Sequence, residues 1–95
     1  MTYSAWFELH ADDEIARHPT AIRVYAHLLR NESIFFAPQD VKAWLLADTL
    51  KTHPDTVNAA IKLLVTRGYV IEHGRGMNNV RRLTIVRNRV TCHPD

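Results

Sequence analysis

Cysteine occurs once in this 95-residue chain, at Cys92 within the polar stretch Thr91-Cys92-His93-Pro94-Asp95. A single thiol excludes a disulfide within the chain and suits a reducing cytoplasm. Glycine (3) and proline (4) are scarce, and no internal repeat or low-complexity segment is visible. The 46% apolar content is that of a globular protein, not a disordered one. No apolar run approaches the roughly 20 residues that a membrane helix needs. Acids come early in MTYSAWFELHADDE, with no basic region ahead of an apolar block, so a signal peptide is not expected. The six histidines (His10, His18, His27, His53, His73 and His93) are scattered, without the spacing of a metal site. A phosphate loop, a nucleophile elbow and a carboxylate pair beside a histidine are also missing. The expectation is one cytoplasmic domain over 1–95 that is not an enzyme, takes no cofactor or metal, shows no evident small-molecule site and stays out of the membrane.

What is present is an uneven charge. Residues 1–50 hold seven acids and four Lys/Arg, a balance of −3, whereas residues 51–95 hold three acids and eight Lys/Arg, a balance of +5. The net value of +2 hides this split. A basic second half is the kind of surface that meets phosphates.

Along the chain, 3–10 (YSAWFELH) alternates, with Tyr3, Ala5, Phe7 and Leu9 on one face, which predicts a strand. Asp12-Asp13-Glu14 can open a short helical turn through Ile15. A helix is expected from Pro19 or Thr20 to about Asn31, with Ile22, Tyr25, Ala26 and Leu29 as its core stripe and Leu28 at the edge. Residues 33–37 (SIFFA) read as a small strand closed by Pro38. A second helix is expected over 40–49, apolar at Val41, Trp44, Leu45, Leu46 and Ala47 and buried on more than one side, with Leu50 closing the core. Out of the polar break Lys51-Thr52-His53-Pro54-Asp55, a third helix starts at His53 or Pro54 and runs to about Arg67, with Val57, Ala60, Ile61, Leu64 and Val65 inward and Gly68 as its stop. Strands at 69–73 and 80–87 flank a tip at Gly74-Arg75-Gly76-Met77-Asn78-Asn79. Residues 88–95 read as a tail.

Helix, tight turn, helix and two-stranded wing is the order of a winged helix-turn-helix. The run Leu46-Ala47-Asp48-Thr49-Leu50-Lys51-Thr52-His53-Pro54-Asp55-Thr56-Val57, followed by Ile61, Leu64 and Gly68-Tyr69-Val70, resembles that superfamily. It resembles particularly the GntR- and MarR-like bacterial regulators and the N-terminal domains of phage and plasmid replication proteins. The resemblance implies an α+β fold with a three-helix core and a small antiparallel wing sheet over 19–87, preceded by an N-terminal strand and arm over 1–18. Two departures stand out: Lys51 occupies the turn position where glycine is usual, and His53 the usual Ser/Thr cap. Thr52 is an alternative cap, which would shift the helix start by one residue.

The resemblance also implies a recognition helix over about 53–67 in the major groove of double-stranded DNA, with the wing over 73–82 on the backbone or minor groove. Asn58 can pair with adenine, Thr56 can touch a thymine methyl or a phosphate, and Lys62 can reach guanine or the backbone. Thr52 and His53 at the helix tip suit phosphate. In the wing Arg75, Arg81 and Arg82 suit the negative minor groove, with Arg82 outward and Arg81 free to swing near the tip. Asp55 reads as a helix-dipole partner. The expected protein is a sequence-specific DNA binder, a transcriptional regulator or a replication or partition factor, acting as a homodimer and nucleoid-associated when bound. The alternative is a protein-interaction module on the same fold.

Overall fold

The structure, a computed structural model, describes residues 4–31, 38–75 and 80–86, with Arg75 through its backbone alone. Among them five helices and three strands follow in the order α1 (Ser4–Ala11), α2 (Asp13–Ala16), α3 (Pro19–Arg30), β1 (Gln39–Val41), α4 (Ala43–Leu50), α5 (Pro54–Thr66), β2 (Val70–Arg75) and β3 (Arg81–Ile85). The fold is α+β. The strands make one antiparallel sheet in the order β1-β3-β2, so the middle position belongs to the last of the described strands. The expected strand at 33–37, the hairpin tip at 76–79 and the tail at 88–95 lie outside the described residues.

The core forms around α5. Val57, Ala60, Ile61 and Leu64 recur at helical spacing and are all buried, as the apolar pattern predicts, while Val65 is half-buried at the edge. This stripe packs against α3 and α4, and α5 also meets β2. Leu83 and Ile85 of β3 close the same core from the sheet side, together with Val70 and Tyr69. Tyr25 joins the layers: its ring stands edge-on to Tyr69 at 6.4 Å, and its hydroxyl donates to the Val86 carbonyl at 2.7 Å. A buried tyrosine needs such a partner for its polar end.

Three expectations are corrected. The first is that 3–10 forms a strand. Residues 4–11 are helical, Ala5 and Leu9 are buried, and Phe7 is 60% exposed. Positions 5 and 9 share a face in either conformation; Phe7 separates the two, because a strand would have buried it. Stacking of Trp6 on Tyr25, with ring centroids 6.0 Å apart, holds the helix in place.

The second correction concerns 39–42. The helix expected from Asp40 starts at Ala43, because Gln39–Val41 is a strand pairing Gln39 with Leu83, Asp40 with Arg82 and Val41 with Arg81. The Gln39 amide nitrogen donates to the Leu28 carbonyl at 2.8 Å, which ties this strand to the end of α3. Helix α4 is also less enclosed than its apolar run suggests, with Trp44 60% and Leu45 47% exposed.

Third, α3 buries Ala21, Val24, Tyr25 and Leu28, a stripe rotated by one residue from the expected one. Ile22 and Leu29 are only half-buried, and Ala26 likewise. Both stripes obey helical spacing, so periodicity alone could not choose between them.

Helices α4 and α5 end alike. Thr52 N–H reaches the Ala47 carbonyl at 2.9 Å and Lys51 N–H reaches Asp48 at 3.3 Å; Tyr69 and Gly68 repeat the pattern onto Leu64 and Val65 at 2.8 and 3.1 Å. This paired closure needs one left-handed residue. Gly68 supplies it after α5, with φ 84°, and Lys51 after α4, with φ 58° and ψ 47°.

Candidate nucleic-acid interface

Helix α5 leaves one face outside the core. Asp55, Thr56, Asn58, Ala59, Lys62 and Thr66 are all exposed, the complement of the buried stripe. The start of this face is settled by its cap. His53 is extended at φ −86°, ψ 144°, and its Nδ1 accepts from the Asp55 N–H at 3.1 Å. Thr52 is therefore not the cap; it is half-buried in the turn, with its N–H used by Ala47. Pro54 follows at the first helical position, where a missing N–H costs nothing. Asp55 lies in the first turn with a carboxylate oxygen 3.6 Å from His53 Nδ1, and it suits the positive end of the helix dipole.

The arginines of β2 and β3 have different settings. Arg81 begins β3 on the inward side with Leu83 and Ile85 and is only 6% exposed. Its guanidinium forks onto Glu72, Nε to one oxygen at 2.7 Å and Nη2 to the other at 3.3 Å. Its Nη1 donates to the Asn58 side-chain oxygen at 3.1 Å. Arg81 thus does not swing free at the tip: it is a strut between the sheet and α5.

Arg82 points the other way and is exposed, with Nε 3.3 Å from a carboxylate oxygen of Asp40 on β1. An exposed pair of this kind contributes about 0–1 kcal/mol, so Arg82 can exchange Asp40 for a phosphate. Withdrawing Arg81 from its buried fork would cost several times more, on the order of 3–5 kcal/mol. The Arg75 side chain lies outside the description. Its backbone pairs with Arg81, just beyond a bulge between Glu72 and Gly74 where Gly74 takes φ 122°. Lys62 is exposed on α5 and Lys51 on the turn. The structure therefore brings Asn58 and Arg81 into contact, sets Thr56 and Lys62 on the same exposed face, and keeps Arg82 on the outer side of the sheet.

Two groups absent from the sequence-derived set hold this surface in place. Glu72 fixes Arg81, and the inward alternation of β3 is the signal that could have paired them. Asp12 caps α2 through Glu14 N–H at 3.0 Å and Ile15 N–H at 3.4 Å, and its other oxygen accepts from Arg67 Nε and the Tyr69 hydroxyl, each at 3.0 Å. Burial raises the Asp12 pKa, but the bonds from Arg67, Tyr69 and the two backbone N–H groups outweigh it and hold the carboxyl below its ordinary 3.8. The bond to Asp12 in turn raises the Arg67 pKa. Nothing in the sequence announced this link across 55 residues.

The chain matches no family model, no curated protein and no solved structure in comparisons with known proteins. Among the described residues no group of His, Cys, Asp and Glu side chains is arranged to hold a metal ion. No helix among them is long and apolar enough to cross a membrane.

Proposed function

We propose that the chain is a winged helix-turn-helix protein that binds double-stranded DNA, with α5 in the major groove and the β2–β3 hairpin as the wing. The observation that carries this reading is the exposed face of α5. It follows a tight turn from α4, lies outside the core, and presents Thr56, Asn58 and Lys62 beside a hairpin that carries Arg82 outward. A recognition helix puts its N-terminal side chains at base edges in this way. Lys62, Lys51 and Arg82 supply phosphate contacts, and Arg75 is expected to add one. Arg67 and Arg81, committed to Asp12 and Glu72, do not count toward them. The protein acts in the cytoplasm as a transcriptional regulator or a replication or partition factor, as a homodimer without cofactor.

Binding of fluorescent random-sequence duplexes at increasing salt tests the reading. Three to four phosphate contacts from each protomer give a slope of about −3 in log affinity against log salt per bound protomer, and about −6 for the dimer. An affinity indifferent to salt would sink it.

A second reading, a protein-interaction module on the same fold, is favoured by two observations. Arg81 and Arg82 both pair with acids of their own chain, and Trp44 and Leu45 stand exposed on α4. Titration separates the two: this module would bind no duplex even at low salt.

A further inference from the structure

A guanidinium only donates hydrogen bonds, so the Asn58 atom facing Arg81 Nη1 at 3.1 Å is the amide oxygen. Arg81 has no freedom to turn, since Glu72 holds its Nε and Nη2 and the residue is buried. A fixed cation thus takes one lone pair of this oxygen and turns the oxygen of an exposed α5 side chain toward itself. The amide NH2 is the end left to the surface.

We infer that Arg81 is a positioning residue that presents Asn58 as a hydrogen-bond donor, so that α5 reads the acceptor edge of guanine, N7 and O6, in the major groove. The inference rests on the DNA-binding reading and deepens it. An asparagine free to rotate pairs with adenine by accepting from N6–H and donating to N7. That pairing uses the oxygen that Arg81 holds. Guanine offers two acceptors side by side and no donor on that edge, which matches an NH2 group. Glu72 belongs to the device as well, because it keeps the guanidinium in one orientation.

Selection of bound duplexes from a random library, followed by sequencing, tests this with the full chain and two variants. The unmodified chain enriches guanine over adenine at one position by about tenfold, the discrimination a good base contact provides. Asn58→Asp keeps an acceptor toward Arg81 but has no donor for the base. Guanine enrichment is lost there, and cytosine, whose amino group donates, rises in its place. In Arg81→Lys a single ammonium replaces the fork and cannot span Glu72 and Asn58 together. The amide is then released, and adenine rises to match guanine. Circular dichroism checks that each variant folds; Asn58→Asp changes an exposed position and decides alone if Arg81→Lys does not fold.

Adenine enriched by the unmodified chain, or guanine enrichment unchanged in Asn58→Asp, overturns the inference while leaving DNA binding intact. Absence of salt-dependent binding to any duplex removes the DNA-binding reading and the inference with it.

Discussion

Lys51 adopts the left-handed conformation at φ 58° and ψ 47°, where a Cβ crowds the backbone and costs about 1–2 kcal/mol. Its side chain is exposed, so nothing but the backbone constrains the position. Lys51→Gly relieves that cost, offset in part by the extra freedom glycine has when unfolded. The expected net gain is about 0.5–1 kcal/mol, read as a higher urea midpoint. Asp12 runs the other way. One of its oxygens takes two backbone N–H groups and the other takes Arg67 and Tyr69, so either flip of an asparagine would aim its NH2 at donors. Asp12→Asn is expected to cost about 2 kcal/mol, or roughly 8–16 °C in melting temperature for a domain of this size. Because the native carboxyl sits below 3.8, its contribution is complete above about pH 4 and is lost as pH falls through the depressed value. Urea midpoints between pH 5 and 2 should therefore fall more steeply for the native chain than for Asp12→Asn. The departures at Lys51 and His53 were legible as departures. How they resolve was not, since glycine's conformation can be forced on lysine and an imidazole nitrogen can cap as a hydroxyl does.

Elements with a long, one-sided apolar repeat were legible, and so was the short turn α2 from its acidic start, whereas α1 and β1 were not. Helix α5 and its glycine stop follow the pattern because Val57, Ala60, Ile61 and Leu64 fit only one period. Helix α1 is eight residues long with Ala5 and Leu9 buried, a spacing that a strand also satisfies. Strand β1 has three residues and one buried side chain, Val41, so its only evidence is the partner it finds in β3. The candidate site divides along the same line. Its α5 face was legible from the residues left out of the buried stripe, whereas the fate of the two adjacent arginines depends on which side of β3 each takes. Under the proposed DNA-binding reading, Arg82→Ala removes a phosphate contact, and because the side chain is exposed it leaves the core undisturbed. It should weaken binding to all duplexes alike, by about threefold to tenfold at low salt, and make the salt slope shallower by about 1. Arg81→Ala strips a buried charge pair instead. It should lower stability by about 3–5 kcal/mol, measured by urea unfolding. Equal stability losses from the two substitutions would contradict the inward and outward placement.

At the scale of the molecule, the split charge and the exposed apolar side chains point to different surfaces. Glu8, Asp13 and Glu14 gather around α1 and α2, while Lys51, Lys62 and Arg82 flank α5 and the sheet. An acidic cluster of this kind repels phosphates and is suited to contacts with protein. Phe7 is 60% exposed on α1, and burying a phenylalanine contributes roughly 1.5–3 kcal/mol. A homodimer joined through α1 would cover Phe7 twice, and two-fold operators usually mirror two-fold proteins. Sedimentation of the full chain at high micromolar concentration should therefore show a dimer. Phe7→Ser should shift it toward monomer by at least tenfold in dissociation constant, while Trp44→Ser should not. A monomer at that concentration would remove the dimer from the proposal. The opposite response, with Trp44→Ser dissociating the dimer, would move the interface to α4. That helix leads directly into the turn at Lys51, so pairing there would bring the two α5 faces together and restrict how far apart two half-sites could lie.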